Sequence, residues 1–196
     1  MTLQTFLWPD TVALPIAEPR AVLIQISGIE RSACGRKRMR EVLQEVLSEW
    51  AGGPVVLDDT CLGPRVRTPI DGKRVEVSLS YAGGCGWLGI CCGRSIGVDA
   101  VVIDENFDWQ DVAALYLDAE DGREIRAAPN QAVAFAQRWS AHEARCKLAG
   151  MPLQEGVSPP KAPVYMTSTA RIAVSVALRL QTEGHREGHA SEAEHR

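Results

Sequence analysis

A chain of 196 residues with 45% apolar and 23% charged residues has the balance of a folded globular protein, which excludes a wholly disordered one. Lys plus Arg number 21 against 25 for Asp plus Glu, and a formal charge of −4 argues against a nucleic-acid binder. No apolar run approaches the roughly 18–20 residues that span a bilayer, so no membrane segment is expected.

The opening stretch, Met1 to Arg20, holds three prolines, Asp10 and Glu18 without a basic cluster. It reads as irregular and not as a secretory signal, so the expected compartment is the cytoplasm. Ala21 to Ser27 is a compact apolar run, read as a strand that Gly28 ends. In Arg36 to Trp50 the apolar residues Met39, Val42, Leu43, Val46, Leu47 and Trp50 recur at spacings of three and four, which predicts a helix with one buried face. Gly52-Gly53-Pro54 stops it. Residues 58–73, rich in Asp, Gly, Pro and Arg, read as a long loop. Val75 to Ser80 alternates as a strand, Ala82-Gly83-Gly84 is a turn, and Trp87 to Cys92 is its hairpin partner. Ile96 to Val102 is a further strand, Asp111 to Leu117 a short helix and Gln131 to Ala149 the longest helix, closed by Gly150 and Pro152. After a loop at Pro159 to Pro163, Val164 to Thr167 and Arg171 to Leu178 read as a final hairpin.

Strand, helix and hairpin thus occur once before residue 93 and again after residue 95. The expected fold is α+β, a pseudo-dimer of two similar lobes over 1–93 and 94–180, each an antiparallel sheet packed with a long helix. Residues 181–196 lack any aliphatic residue larger than Ala and are expected to be disordered; His185, His189 and His195 there match no defined metal site. Six cysteines at 34, 61, 85, 91, 92 and 146 form no Cys-x-x-Cys pair and read as buried, reduced thiols.

Two acidic positions stand out. Asp99 in Gly97-Val98-Asp99 puts a carboxylate at or near the end of an apolar strand, where burial is costly unless it is paired or bound to a cation. Glu143 and Lys147, four apart, emerge on one face of the long helix, and Trp139 continues that stripe. Each taken alone is commonplace, a turn or a surface ion pair. A strand carboxylate and a helix carboxylate brought together would suit Mg²⁺ with substrate phosphate oxygens.

The order Gly-Val-Asp, then Trp139-Ser140-Ala141-His142-Glu143-Ala144-Arg145-Cys146-Lys147, resembles the signature of 4′-phosphopantetheinyl transferases, in the two-lobed (surfactin-synthetase-activating) form. Ser78-Leu79-Ser80-Tyr81-Ala82-Gly83 is similar to the family's Ser-Leu-Ser-His-Ser-Gly segment, and Gly63-Pro64-Arg65 stands where members carry Gly-Lys-Pro. The resemblance, spanning roughly residues 31–178, implies transfer of the phosphopantetheine arm of coenzyme A to a serine of an acyl, peptidyl or aryl carrier protein, with adenosine 3′,5′-bisphosphate released. It implies that Asp99 and Glu143 bind Mg²⁺, that Glu143 is the candidate base and that Lys147 neutralises phosphate charge. Arg36, Arg38, Arg65, Ser80, Tyr81 and His142 become candidates for contacting coenzyme A. A fused pair of lobes completes a site without a second chain, so a monomer is expected. Three positions depart from the family pattern: Val101 replaces a frequent second acid, Tyr81 a histidine and His142 a lysine. Each lowers charge complementarity to the metal or to coenzyme A, so the alternative is a slow or inactive member that binds coenzyme A or a carrier protein.

Overall fold

Residues 3–10, 12, 13, 20–60 and 63–179 are described by a computed structural model of the chain. The layering follows from alternation in one strand, Arg20–Ser27 (β2). Val22, Ile24 and Ile26 join one apolar cluster, and Ala21 and Leu23 join another. Helix α1 (Ala33–Ala51) covers the first cluster with Met39, Val42, Leu43, Val46 and Leu47. Ser32 caps it by accepting from the Gly35 N–H at 3.0 Å, and Gly52 closes it at φ 65°.

The first sheet also contains β1 (Gln4–Trp8), β5 (Val75–Ala82) and β6 (Cys85–Cys92), after a separate hairpin of β3 (Leu57–Thr60) and β4 (Gly63–Val66). Its order is β1-β2-β6-β5, antiparallel except for β1 beside β2. The second half begins with β7 (Ile96–Val102) and continues through α2 (Gln110–Tyr116), α3 (Ala119–Ala127) and α4 (Gln131–Ala149) to β8 (Val164–Ser168) and β9 (Ile172–Leu178). Its antiparallel sheet runs β7-β9-β8. Ile96, Val98, Ala100, Val174 and Val176 pack onto Leu23, Trp87 and Cys91 of the first sheet. The layers are therefore α1, sheet, sheet, α4.

Small residues bring β7 and β9 close to α4. Gly97, Ser175 and Ala177 meet Ser140, Ala144 and Leu148. A Cβ on Gly97 would lie 2.1 Å from the Ala144 carbonyl oxygen and 2.6 Å from the Leu148 nitrogen. The helix backbone thus rests directly on the strand, and only glycine permits that approach. The buried hydroxyls of Ser140 and Ser175, 2.7 Å apart, fix the same contact.

The fold is mixed α+β, as the patterning predicts. Both halves share a connectivity: strand, long helix, then a hairpin whose second strand pairs with the first strand (β2-β6-β5 and β7-β9-β8). Four elements differ from the sequence expectation. β1 occupies part of the stretch read as irregular, and the β3–β4 hairpin occupies part of the stretch read as loop. These three strands are short and mostly exposed, so their apolar alternation is weak, although Val66 joins the α1-side core and Phe6, Trp8 and Leu57 pack against it. α3 is a charged helix held by Asp118, whose carboxylate accepts the N–H groups of Glu120 and Asp121 at 3.0 and 2.8 Å. The expected disordered tail, its three histidines and Cys61 lie outside the described residues; Cys91, Cys92 and Cys146 are buried as expected, Cys85 is half-buried, and Cys34 is exposed at the start of α1, against the expectation of a buried thiol. Among the described residues no helix is long and apolar enough to cross a membrane.

Candidate active site

The two sheets meet edge to edge where β5 lies alongside β7. Side chains, not a regular ladder, stitch these strands. Ser78 Oγ accepts from the Val98 N–H at 2.8 Å, and Ser80 Oγ accepts from the Ala100 N–H at 3.1 Å. The same Ser80 hydroxyl donates to Asp99 Oδ1 at 2.9 Å. From α4, Lys147 Nζ donates to Asp99 Oδ1 at 2.7 Å, to the Val98 carbonyl at 3.0 Å and to the Leu79 carbonyl at 3.2 Å. An ammonium has three hydrogens, and all three are committed to holding β5, β7 and α4 together.

Asp99 sits mid-strand, 3% exposed, on the α4 side of β7. Its Oδ1 is saturated by Ser80 and Lys147, while its Oδ2 is buried without a partner. Glu143, one helical turn before Lys147, brings a second carboxyl to this place. Burial pushes its pKa from the ordinary 4.5 up to about 7, helped by the nearby charge of Asp99, against the pull of Lys147 and Arg31.

This arrangement fits a hard divalent cation. The donors are carboxylate oxygens, one is orphaned, and the two acids repel when both ionise. Among the described residues no group of three or more His, Cys, Asp or Glu is placed to hold a metal, so Asp99 and Glu143 are the two carboxylates that the chain brings to this place. Val101, two residues along β7, contributes none.

Positive charge reaches the site from the turn before α1. Arg31 acts on both Glu143 and Tyr81, and Arg36 acts on Tyr81. The Tyr81 hydroxyl is buried without a partner, and burial raises its pKa. Arg31 and Ser78 were not singled out by sequence pattern. Arg31 falls between a strand and a helix cap, and only the fold brings its charge to a residue more than a hundred positions away.

The remaining candidates are distributed differently from the sequence expectation. Ser80 is brought to Asp99, but its hydroxyl is engaged there. Arg38 faces solvent and pairs with Glu41 at 3.4 Å, and Arg65 is exposed on β4. His142 turns away from Asp99, as a residue one position from Glu143 must on a helix. It stacks on Trp139 with ring centroids 5.9 Å apart, and burial and the charge of Arg145 lower its pKa. Trp139, one helical turn before Glu143, also stacks on Phe135 with centroids 6.1 Å apart and meets the edge of Tyr116.

A search among curated proteins finds no match for this chain. The family model described as the 4′-phosphopantetheinyl transferase superfamily matches residues 95–195, a span that opens just before β7 and contains Asp99, Glu143 and Lys147. The acidic pair and its lysine therefore stand within the half of the chain that carries the family's pattern, and the chain belongs to the 4′-phosphopantetheinyl transferase superfamily.

Proposed function

We propose that this protein is a Mg²⁺-dependent, two-lobed transferase that moves the 4′-phosphopantetheine arm of coenzyme A onto a serine of an acyl or peptidyl carrier protein. The observation that carries the reading is the buried, unpartnered Oδ2 of Asp99 beside the raised carboxyl of Glu143. Asp99 and Glu143 would hold Mg²⁺, which would supply charge neutralisation at the pyrophosphate of coenzyme A.

The carrier serine oxygen forms a new bond to the phosphorus that bears pantetheine. The phosphoanhydride bond breaks, and adenosine 3′,5′-bisphosphate leaves. Glu143 takes the serine proton, since it is the carboxylate that the helix brings to the seam beside Asp99. Ser80 and Lys147 hold Asp99 in place, and Lys147 lends positive charge to the phosphates while tied to the two strands. Arg31, Arg36 and the Tyr81 hydroxyl supply the anion-binding side, next to an α1 N-terminus with no acidic residue in its first turn.

The repeated connectivity supports the two-lobed form, with a seam near residues 93–95. Since one chain supplies both sides of the seam, the protein is taken as a cytoplasmic monomer. A second reading, a coenzyme A or carrier-protein binder with little transfer, draws on the full commitment of Lys147 and the outward turn of His142. Intact-mass measurement of apo carrier proteins incubated with coenzyme A, Mg²⁺ and this protein separates the two. The transferase reading expects the carrier to gain one phosphopantetheine. Carrier binding with no mass gain, under conditions where a reference transferase works, supports the second.

A further inference from the structure

The strand that carries Asp99 lies at the edge of its sheet, with β9 on one side only. An edge strand leaves the backbone N–H and C=O of every second residue without a ladder partner. On β7 these are the groups of Val98 and Ala100, which face β5, yet the two strands form no ladder. Lys147 Nζ reaches the Leu79 carbonyl of β5 and the Val98 carbonyl of β7, so an ammonium stands between the two backbones. Two serine hydroxyls of β5, two residues apart and therefore on one face, take the N–H groups instead.

These hydroxyls divide the task. Ser80 Oγ accepts from the Ala100 N–H and donates to Asp99 Oδ1, so it acts on the carboxylate directly. Ser78 Oγ accepts from the Val98 N–H at 2.8 Å, the amide on the other side of Asp99. Val98 is thus held at both of its outward backbone groups, the N–H by Ser78 and the C=O by Lys147. Val98 is 0% exposed, and without Ser78 its N–H would be an orphan in a buried strand. Tyr81, which feels Arg31 and Arg36, packs toward the α1-side core from the opposite face of β5.

We propose that Ser78 is a positioning residue for the acidic pair: its hydroxyl fixes the Val98 amide and so sets where Asp99 stands against Glu143, without itself touching ion or substrate. This role rests on the proposed Mg²⁺ site at Asp99 and Glu143. Removing an outer partner of a metal ligand costs about 10–100-fold in metal affinity. Coenzyme A affinity without metal should stay as it is, because the anion-binding charges lie on the other face of β5.

The test uses the full chain with Ser78→Thr and Ser78→Val. Thr and Val match in shape and both suit a strand, so the pair differs in the hydroxyl alone. Should Ser78→Val fail to fold, Ser78→Ala takes its place, a smaller side chain at a half-buried position. Hydrogen exchange of the Val98 amide, followed by NMR in the metal-free protein, should be alike in wild type and Ser78→Thr and at least about tenfold faster in Ser78→Val. Calorimetric titration of Mg²⁺ into the coenzyme A-loaded protein should give Ser78→Thr the wild-type affinity and Ser78→Val an affinity about 10–100-fold weaker. Coenzyme A affinity, measured without Mg²⁺, should be the same in all three. Equal amide exchange in the two variants, equal Mg²⁺ affinity in the two, or a parallel loss of coenzyme A affinity in Ser78→Val would overturn the proposal. A wild type that binds no Mg²⁺, with the Val98 amide behaving as described, would instead overturn the metal site itself and this role with it.

Discussion

Asp99 enters the seam with one oxygen saturated and the other bare, and Glu143 is the group that feels it most. Glu143→Gln keeps the shape and a hydrogen-bonding head but loses the base. Transfer should fall by about 10²–10⁴-fold, with coenzyme A binding by calorimetry largely kept; equal turnover would remove Glu143 from the chemistry. The same residue sets a pH dependence. Its carboxyl titrates near 4.5 in the unfolded chain and about 7 in the fold, so between those values the folded state holds more protons. Stability of the metal-free protein from this group should therefore decline as pH rises from about 4.5 to about 7, and Glu143→Gln should flatten that slope in urea titrations. At this scale the resemblance made Asp99, Glu143 and Lys147 legible, because they are fixed types at fixed spacings. The direction of His142 was half-legible: a helix turns it about 100° from Glu143, but the α3 helix that covers it left little trace in the apolar pattern. Arg31 was not legible, because its role depends on a turn between elements.

Among the elements, the contact of α4 with β7 decides whether the acids meet at all. Gly97→Ala places a methyl group against backbone atoms of Ala144 and Leu148, which cannot swing aside as a side chain would. The expected cost is about 1–3 kcal/mol, read from the urea midpoint, with weakened metal binding as α4 is pushed outward; a neutral effect would show that the helix does not rest on the strand. Ser80→Ala strips a donor from Asp99 and an acceptor from the Ala100 N–H, and should cost about 1–3 kcal/mol. The long helices and the central strands were readable because each carries a wide apolar face. β1, β3 and β4 were not, since Pro, Gly and Asp stand in or beside them and of their residues only Val66 joins the buried core. α3 did carry a usable signal, Asp118 followed by Glu120 and Asp121, the pattern of a capped, acidic first turn.

The molecule as a whole is two helix-backed sheets whose inner faces form one core and whose edges, β5 and β7, form the site. The repeated strand, helix and hairpin pattern made the two helix-backed sheets legible. The edge-to-edge meeting of β5 and β7 was not foreshadowed, because serine hydroxyls and one lysine make it instead of a ladder. The account stands on one claim, that Asp99 and Glu143 jointly hold a divalent ion in that seam. The most direct measurement is calorimetric titration of Mg²⁺ into the coenzyme A-loaded protein, comparing wild type with Asp99→Asn and Glu143→Gln. The account predicts one ion per chain in the wild type, with affinity lost in Asp99→Asn and sharply reduced in Glu143→Gln. Unchanged Mg²⁺ binding in both variants would contradict it.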